Sequence, residues 1–519
     1  MIAITFALLG VFLGAIYVYL KIRFEFAAKI PAVEPLVPFF GNGLDFTQKN
    51  TYEIFANLSR VFHSNRHDRL FKLSFGPVAV LCPTHPDLFQ KVINDSHTME
   101  KPYVYEFMRV NLGLLAAKYD TWKIHRKLLN PTFNTRILNS FIPLFNDCVE
   151  TMIERLKQHA EPGKVLNILE FTSPCTLAMI CRTSLGGKVL EREGTQKFVE
   201  GLEIILHNVG LRMFNVGLHP NIVYRFTRFY RAEMESRKFC YAFTDKIIRE
   251  KQQELATLKR KQDSNNNANN DSGNDNFEEG EDDLLSYKKP QIFIDQLLTI
   301  PLPDGKPFSH QDISDHIYTM IAAGNETSAT QAAHTCLFLA MHPEVQEKAA
   351  KEIKEFLPTP ESKITPEVLK ELVYIERIIK ESQRLAPVAA VIGRKTREDL
   401  HLDQFTIPKG NIFILNIYAM HRRKDYWGED AELFNPDRFL PEKSKNRHPF
   451  AYLPFSAGNR GCIGNRYAIM SMKTMITEIL RNFKLSTDLK YERIEFKFKV
   501  SMHLSGPHRT FIEPRNLYG

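Results

Sequence analysis

The longest uninterrupted run of apolar residues lies at the amino terminus. Residues 2–20 carry no charged side chain, and Lys21, Arg23 and Lys29 follow directly. A helix of this length spans about 28 Å, close to the roughly 30 Å hydrocarbon core of a bilayer. The run lacks the basic start, short apolar core and small-residue cleavage site of a signal peptide, so it predicts a transmembrane signal anchor over residues 1–21. By the positive-inside rule, the remainder of the chain is expected on the cytoplasmic side.

A basic, proline-rich linker is predicted over residues 22–45, where three prolines favour a stiff extended backbone. Three later segments have the pattern of short β-strands. Residues 71–83 are apolar on both sides of a Gly-Pro pair, which predicts a hairpin. Residues 409–421 begin as a buried strand, and residues 495–504 alternate apolar and polar positions at period two, which predicts a late strand.

Helical periodicity covers most of the remaining chain. One helix is predicted from about residue 311 to residue 342, just before Pro343, and another from residue 366 to residue 385, just before Pro387. The pattern therefore predicts a mainly α protein with small β-sheets. Apolar residues make up 44% of the chain and charged residues 25%, which is typical of a globular protein.

Charge is distributed unevenly along the chain. Residues 261–284 are Asn-rich and carry a net charge of −7, so the remainder carries +15 of the overall +8. The acidic segment has too few apolar residues to offset its ordering entropy, which predicts a disordered loop. A basic body fits anionic lipid or an acidic protein partner. No helix-turn-helix, RNP or zinc-finger pattern is present, so nucleic acid is not expected as a partner.

The strongest chemical signal is Phe455-Ser-Ala-Gly-Asn-Arg460-Gly-Cys462-Ile-Gly464. Three glycines permit tight turns near Cys462, and a helical pattern follows, so the cysteine lies at a helix N-terminus. The helix dipole and the adjacent Arg460 stabilise a thiolate there. Its partner is either a substrate, in nucleophilic catalysis, or a metal. The seven cysteines are otherwise unclustered, which argues against a disulfide framework and a structural zinc site.

This loop resembles the haem-binding loop FxxGxRxCxG of the cytochrome P-450 enzymes, and the resemblance extends over nearly the whole chain. It implies the cytochrome P-450 fold, with residues 46–519 as one haem domain that contains the acidic loop. It also implies haem b as a non-covalent cofactor, with Cys462 as the axial ligand of the iron. Phe455 and Arg460 lie in the same loop and are implied in binding the cofactor.

Three further motifs carry the resemblance. Glu381 and Arg384 lie at i, i+3 on one helix face. A surface ion pair is the ordinary interpretation of this spacing, but with FNPDRF downstream the resemblance implies a structural triad with Arg438. In WKIHR, it implies that Trp122 and Arg126 contact a haem propionate. Arg460 and Arg394 are implied as further cations for that role.

The third of these motifs is Ala-Gly324-Asn-Glu326-Thr327, inside the helix predicted over residues 311–342. A glycine in a helix interior costs about 1 kcal/mol relative to alanine. Helix packing or a flexible kink is one explanation. The resemblance implies another, in which the helix loosens to make room for dioxygen and these three residues are catalytic, with Glu326 and Thr327 supplying protons.

The implied reaction is a monooxygenation, in which one atom of O2 enters a lipophilic small molecule such as a xenobiotic, hormone or fatty-acid-like compound. The chain has no GxGxxG-type nucleotide site, so NADPH and flavins would act only through a partner. The expected partners are NADPH–cytochrome reductase and cytochrome b5 at the endoplasmic reticulum membrane. Exposed cations are candidates for docking the reductase: Lys118, Lys123, Lys127 and Arg466.

The motifs are most similar to the clan that includes microsomal fatty-acid ω-hydroxylases, especially its insect branch. This chain has A-G-N-E-T where that clan commonly has E-G-H-D-T, and His316 stands where the clan has a haem-esterifying glutamate. Both departures argue against fatty-acid ω-hydroxylation, and the second predicts a non-covalent haem. The alternatives are a haem-thiolate isomerase or dehydratase, which needs no O2, and a non-catalytic haem-binding membrane protein.

Overall fold

The computed structural model describes residues 2–37, 40–47, 50–75, 78–161, 163–270 and 292–518. Helices make up most of this part of the chain, as the sequence predicts. In chain order the α-helices are α1 (Ile2–Arg23), α2 (Thr51–Ser64), α3 (Pro86–Asn94), α4 (Tyr119–Leu129), α5 (Thr135–Ser140), α6 (Ile142–His159), α7 (Leu169–Ser184), α8 (Thr195–Phe214), α9 (Asn221–Arg225), α10 (Arg228–Asn270), α11 (Phe293–Thr299), α12 (His310–Met341), α13 (Pro343–Phe356), α14 (Pro366–Glu371), α15 (Val373–Leu385), α16 (Ile417–Met420), α17 (Lys424–Trp427), α18 (Pro441–Ser444) and α19 (Asn465–Asn482).

Short strands form small sheets at the edges of the helical body. They are β1 (Leu70–Phe75), β2 (Val78–Pro83), β3 (Leu166–Asn167), β4 (Val391–Lys395), β5 (Leu400–Leu402), β6 (Phe405–Ile407), β7 (Ile412–Asn416), β8 (Phe483–Ser486), β9 (Phe496–Phe498), β10 (Met502–Leu504) and β11 (Arg509–Pro514). The largest sheet has the order β1-β2-β7-β4, and only its β2–β7 pair is parallel. The other sheets are β3-β11-β8, β9-β10 and β5-β6.

The predicted hairpin over residues 71–83 corresponds to the antiparallel pair β1 and β2, while its Gly-Pro turn lies outside the described residues. The strand predicted at the start of residues 409–421 is β7. The single strand predicted over residues 495–504 is wrong. This segment folds back on itself, because Lys499 N donates to Ser501 O at 2.8 Å and β9 pairs antiparallel with β10. Apolar and polar positions keep alternating through the turn, so periodicity alone does not reveal it.

The helix predicted over residues 366–385 is two helices, α14 and α15, with Leu372 between them. A side chain from α13 explains the break. The Glu352 carboxylate accepts hydrogen bonds from Tyr374 N and Ile375 N at 2.6 and 3.0 Å. It therefore satisfies backbone groups at the start of α15 that would otherwise continue the preceding helix.

The long helix α12 crosses the middle of the hydrophobic core. It begins at a capping box formed by Ser309 and Asp312 and extends over 32 residues, close to the predicted bounds. Its residues 313–321 and 328–340 are all buried. α7 packs closely against it at Gly324, where a Cβ atom would lie 2.7 Å from Ile180 Cδ1. Glycine is therefore required for this helix contact.

The acidic segment begins inside a helix. α10 continues to Asn270, whereas the sequence predicts a disordered loop from residue 261. Lys and Gln at the start of the segment are good helix formers, and extending an existing helix costs little compared with starting one. Residues 271–284 lie outside the described residues. Elements on both sides of the gap join one hydrophobic cluster, which includes Ile248 and Phe293.

At the amino terminus, α1 covers the predicted anchor. Within the described ranges, no helix combines the length and the apolar character that crossing a membrane requires. Part of the predicted linker packs on the body rather than extending away from it. Ala27 and Ile30 are buried, and Lys72 N donates to Pro31 O at 2.8 Å, alongside β1.

Candidate haem site

Cys462 differs from the other six cysteines because it is exposed, whereas they are buried. It lies two residues before Gly464, the N-cap of α19. The loop closes when Cys462 N donates to Phe455 O at 2.9 Å. Gly458 turns this loop at φ +65°, and a Cβ atom there would lie 3.0 Å from Ile93 O. The loop thus presents one accessible thiol at a helix start, as the sequence predicts.

Opposing effects set the pKa of the Cys462 thiol. Desolvation of the thiol by the surrounding loop and helix raises its pKa above the usual value, and this is the largest effect. The backbone N–H of Gly464 and the positive charge of Arg126 act in the opposite direction. Both stabilise the thiolate, which is the form of cysteine that binds a metal.

α4 positions the predicted Trp122 and Arg126 one helical turn apart, close to the cysteine loop. Trp122 is buried. Arg126 donates from Nη1 to Gly461 O at 3.0 Å, while its buried Nε has no hydrogen-bond partner in the described part of the chain. A buried N–H without an acceptor is costly. Arg126 is therefore a good donor for an anionic group bound at this site.

Arg460 is the second cation of the site and packs against Trp122 of the Trp122–Arg126 motif. Its guanidinium carbon lies 4.2 Å from the centroid of the Trp122 ring, and its Nε donates to Met99 O at 3.0 Å. Burial, together with the charge of Arg394, lowers the pKa of Arg460 to about 9, although Glu100 acts in the opposite direction. The site therefore concentrates positive charge that few carboxylates balance.

Lys101 is a cation of this site that sequence reasoning missed. Its ammonium lies 4.5 Å from the centroid of the Tyr105 ring. Burial, and then the charges of Arg394 and Arg460, hold the pKa of Lys101 well below its usual value. Arg394 itself is 1% exposed, and its Nε has no partner among the described residues. A lone lysine at the start of an apolar loop is the only sequence signal for Lys101.

These residues fit haem b. The accessible thiol of Cys462 supplies the thiolate that a haem iron accepts as an axial ligand. Arg126, Arg394, Arg460 and Lys101 are buried or partly buried and would supply positive charge for the two propionates, which need cations when removed from water. The unpartnered Nε atoms of Arg126 and Arg394 would have acceptors in the propionate oxygens.

A short stretch of α12 is accessible although the helix is buried on both sides of it. This stretch is Ala322–Thr327, and it contains all three residues of the predicted catalytic motif. Thr327 Oγ1 donates to Ala323 O at 2.6 Å, and α12 is continuous through the motif. The motif therefore does not interrupt the helix, and its widening for dioxygen stays a prediction. Helix packing explains the glycine at position 324, because the Ile180 side chain occupies the space that a side chain there would need.

Glu326 is held by two side chains that sequence reasoning missed. Its Oε1 accepts from His503 Nε2 at 2.8 Å and from Ser501 Oγ at 3.0 Å. Burial raises the pKa of Glu326, but the hydrogen bond and charge of His503 and the charge of Lys499 outweigh it, so the pKa lies below its usual value. The period-two pattern around β10 is the sequence signal that Ser501 and His503 share a side.

His316 packs in the core beside α4. Its Nε2 lies 3.0 Å from His125 Nδ1, and its ring packs on Phe308 at 5.8 Å. Burial, and then the charge of His125, lower the pKa of His316 to about 3. The adjacent Asp315 carboxylate points elsewhere and accepts from Leu112 N at 2.9 Å. Neither contact involves the cysteine loop.

The structure brings together the three residues of the predicted triad. Arg384 donates through Nε and Nη2 to the two Glu381 carboxylate oxygens at 2.7 and 2.8 Å, and Arg438 Nε lies 3.3 Å from Glu381 Oε1. Glu381 and Arg384 are fully buried. Arg384 Nη1 also donates to His421 O at 3.0 Å, and Nη2 donates to Leu433 O at 3.1 Å. The triad thus ties α15 to the chain that precedes the cysteine loop.

Comparisons with known proteins agree with this geometry. The sequence model of the cytochrome P-450 family matches residues 31–510. Cytochrome P-450 4c21 of Blattella germanica is 29% identical over 491 residues, which cover 94% of each chain. Human cytochrome P-450 4V2 is 29% identical over 94% of this chain and 90% of its own. Probable cytochrome P-450 313b1 of Drosophila melanogaster is 31% identical over 92% of both chains.

The fold and the family match support a haem-dependent monooxygenase in general. The chain belongs to the cytochrome P-450 family. The relatives belong to the clan that the motifs resemble and include insect members, so that prediction is confirmed. The family as a whole is known for non-covalent binding of haem b, and its members generally receive electrons from a redox partner.

Proposed function

We propose that this protein is a monooxygenase of the endoplasmic reticulum membrane that inserts one oxygen atom from O2 into a lipophilic small molecule. The observation that carries the proposal is the pairing of an accessible cysteine at a helix start with an accessible acid–alcohol pair, Glu326 and Thr327, inside a buried helix. The substrate class follows from the apolar, aromatic-bearing segments at residues 101–118 and 206–220.

In this proposal the chain binds, orients and supplies protons, while haem b supplies the iron that activates dioxygen. Cys462 binds the iron as thiolate. Lys101 and the three arginines Arg126, Arg394 and Arg460 hold the propionates. Glu326 holds a proton or releases it at its carboxylate, and the Thr327 hydroxyl can donate in turn if it leaves the Ala323 carbonyl.

The acid–alcohol pair favours this reaction over the haem-thiolate isomerase or dehydratase. Rearranging a peroxide uses neither O2 nor NADPH, and it gives no role to a carboxylate and hydroxyl that deliver protons. The test uses the purified full-length protein with reductase in lipid vesicles. A monooxygenase consumes NADPH and O2 there, whereas an isomerase converts an added hydroperoxide without NADPH. A non-catalytic haem protein does neither.

The axial ligand has its own test. Replacing Cys462 with alanine should abolish the red-shifted Soret band that a thiolate-ligated ferrous haem gives with carbon monoxide, because no thiolate remains to bind the iron. Cys336→Ala is the matched control, since Cys336 is buried in α12 away from the loop. Retention of the band in Cys462→Ala would overturn the assignment. If the thiolate band depends on Cys462, a screen of lipophilic compounds for ligand-induced Soret shifts would define the substrate.

Electrons are proposed to come from NADPH–cytochrome reductase, with cytochrome b5 as a second donor, through the basic surface around α4. Lys118, Lys123 and Lys127 are exposed near the Trp122–Arg126 motif, and Arg466 is exposed at the start of α19. Charge of this kind steers an acidic partner. Reversing Lys123 and Lys127 to glutamate should slow reductase-supported NADPH consumption more at low salt than at high salt. Reversing Lys424, which belongs to α17 and to neither α4 nor α19, is the control.

Anchoring through α1 is also part of the proposal. It rests on the absence of charge over residues 2–20 and on the basic residues that follow. Removing residues 2–21 should release the protein from microsomal membranes into the soluble fraction after carbonate washing. If the truncated and full-length proteins partition alike, α1 is not the anchor.

A further inference from the structure

A contact between α12 and the β9–β10 hairpin joins residues 177 positions apart. His503 Nε2 lies 2.8 Å from Glu326 Oε1 and 3.0 Å from Ser501 Oγ, and Ser501 Oγ lies 3.0 Å from the same carboxylate oxygen. Ser501 and His503 are buried. The three side chains therefore form a closed triangle in the core, with one carboxylate oxygen as the shared acceptor.

The two oxygens of Glu326 have different surroundings. Oε1 receives both hydrogen bonds, whereas Oε2 has no hydrogen-bond partner within the residues that the structure describes. The side chain is 11% exposed, in the accessible stretch of α12. One oxygen is thus fixed by the protein, and the other remains available toward the accessible side.

The groups that surround His503 are basic or neutral apart from Glu326. Lys499 lies on the same hairpin, and its charge acts on Glu326. His334 from α12 and His508 from the segment before β11 are close enough to His503 to be affected by its charge. The ring centroids of His334 and His508 are 5.1 Å apart. Burial, and then the charges of neighbouring histidines, keep the pKa of both below the usual value. Glu326 is therefore the anion that His503 faces.

Packing fixes the position of the hairpin that carries His503. The Phe214 ring of α8 stacks on Phe498 with centroids 3.9 Å apart and planes 5° from parallel. At Gly210, a Cβ atom would lie 2.6 Å from Val500 N, so the backbone of α8 touches the hairpin turn. Rigid support of this kind gives a side chain the defined geometry that a positioning role needs.

We propose that His503 is a positioning residue for Glu326, which it holds as a carboxylate with Oε1 fixed and Oε2 free to exchange protons on the accessible side of α12. The proposal rests on the proposed function, in which Glu326 supplies protons. It adds a residue from the carboxyl-terminal hairpin to that pathway, with Ser501 as the second donor to the fixed oxygen.

The first test measures the carboxyl group itself and needs no turnover. Infrared difference spectra recorded over a pH series on the ferric haem-bound protein report the C=O stretch of protonated carboxyls, and Glu326→Gln identifies the band of Glu326. In His503→Leu this band should appear at a pH about 1–3 units higher, because a hydrogen bond and an opposite charge are lost. In His503→Gln, which keeps an N–H donor, the shift should be smaller. An unchanged band in His503→Leu would overturn the proposal.

The second test measures proton supply. With reductase in excess and no organic substrate added, the protein reduces O2 to hydrogen peroxide with two electrons and two protons, or to two waters with four of each. His503→Leu should lower NADPH consumption several-fold and raise its solvent deuterium isotope effect, and His503→Gln should restore both. His508→Leu is the control, because His508 is equally buried but makes no hydrogen bond to Glu326. Equal effects in both leucine variants would indicate general packing and overturn the proposal.

The carbon monoxide complex separates the two possible failures. If the wild-type protein lacks the thiolate Soret band, the proposed function fails. If His503→Leu keeps the band but shows neither the infrared shift nor the isotope effect, only the role of His503 fails. If His503→Leu does not bind haem, His503→Gln and Ser501→Ala take its place. Each should raise the pH at which the Glu326 band appears, and an unchanged band in both variants would overturn the proposal.

Discussion

The guanidinium of Arg460 lies over the indole of Trp122, 4.2 Å from the ring centroid. Arg460 comes from the cysteine loop and Trp122 from α4, so this contact joins two of the sequence motifs. Main-chain carbonyls of Met99 and Ala117 accept from the same guanidinium at 3.0 and 2.8 Å. The arginine is therefore held by an aromatic face and by backbone acceptors.

Truncating either residue should weaken haem retention. A buried cation–π contact contributes about 0.5–2 kcal/mol, so Trp122→Ala should release haem several-fold faster, and Arg460→Ala faster still because a propionate cation is also lost. Haem transfer to excess apomyoglobin gives the rate, and the carbon monoxide complex should still show the thiolate band. Lys123→Ala, on the exposed side of α4, is the control. Equal rates for all variants would remove this contact from haem binding.

Thr327→Ala should divert reducing equivalents to hydrogen peroxide while leaving ligand binding nearly intact. The hydroxyl donates to Ala323 O on an accessible part of α12. Its proposed role is to supply protons during the reaction, which takes place after the ligand is bound. The measurement is peroxide formed per NADPH consumed, with Thr327→Ser as the conservative variant. Thr319→Ala is the matched control, because Thr319 Oγ1 makes the same hydrogen bond to Asp315 O but is buried. A peroxide ratio equal to that of the wild type would remove Thr327 from the proton path.

Glu381→Ala should give mostly misfolded protein without haem. It leaves the buried Arg384 and Arg438 without their shared carboxylate, and breaking a buried ion pair costs about 3–5 kcal/mol. The yield of soluble haem protein and its unfolding temperature measure the effect. Glu429→Ala is the control, since the Glu429–Lys424 pair is highly exposed and surface pairs contribute about 0–1 kcal/mol. Comparable yields for the two variants would show that the triad has no structural role.

Gly324→Ala should destabilise the protein by about 1–3 kcal/mol, because its methyl group would lie 2.7 Å from Ile180 Cδ1 and the buried Ile180 side chain would have to shift. Ile180→Ala costs stability by itself through lost packing. The double variant should be more stable than the sum of the two effects predicts, because the smaller residue at 180 makes room for the methyl group. Thermal unfolding of the four proteins gives the coupling. Strict additivity would contradict the contact.

Most of the candidate site could be predicted from the sequence because its residues lie in short local motifs. Glu381 and Arg384 are three positions apart on one helix, and Trp122 and Arg126 are four apart, so helical geometry alone places each pair on one face. The cysteine loop is likewise defined within ten residues. These features depend on backbone geometry that neighbouring residues determine.

The features that the sequence did not reveal depend on contacts between distant segments. Glu352 breaks the helix predicted over residues 366–385 from a neighbouring helix, and His503 of β10 contacts Glu326 of α12 across 177 positions. Lys101 lies close enough to Arg394 and Arg460 for their charges to lower its pKa, although the three residues come from distant segments. Periodicity reports which side of an element is buried, but it does not report which other element lies against that side.

Arg384 is bound by one carboxylate and by backbone carbonyls of His421 and Leu433. A carbonyl group is the same in every amino acid, so these contacts do not depend on the identity of residues 421 and 433. Substitutions at residues 421 and 433 therefore leave these hydrogen bonds to Arg384 available as long as the backbone keeps its path. The side chains on which the triad depends are Glu381 and the two arginines, because the loss of any one of them leaves buried charge without its partner.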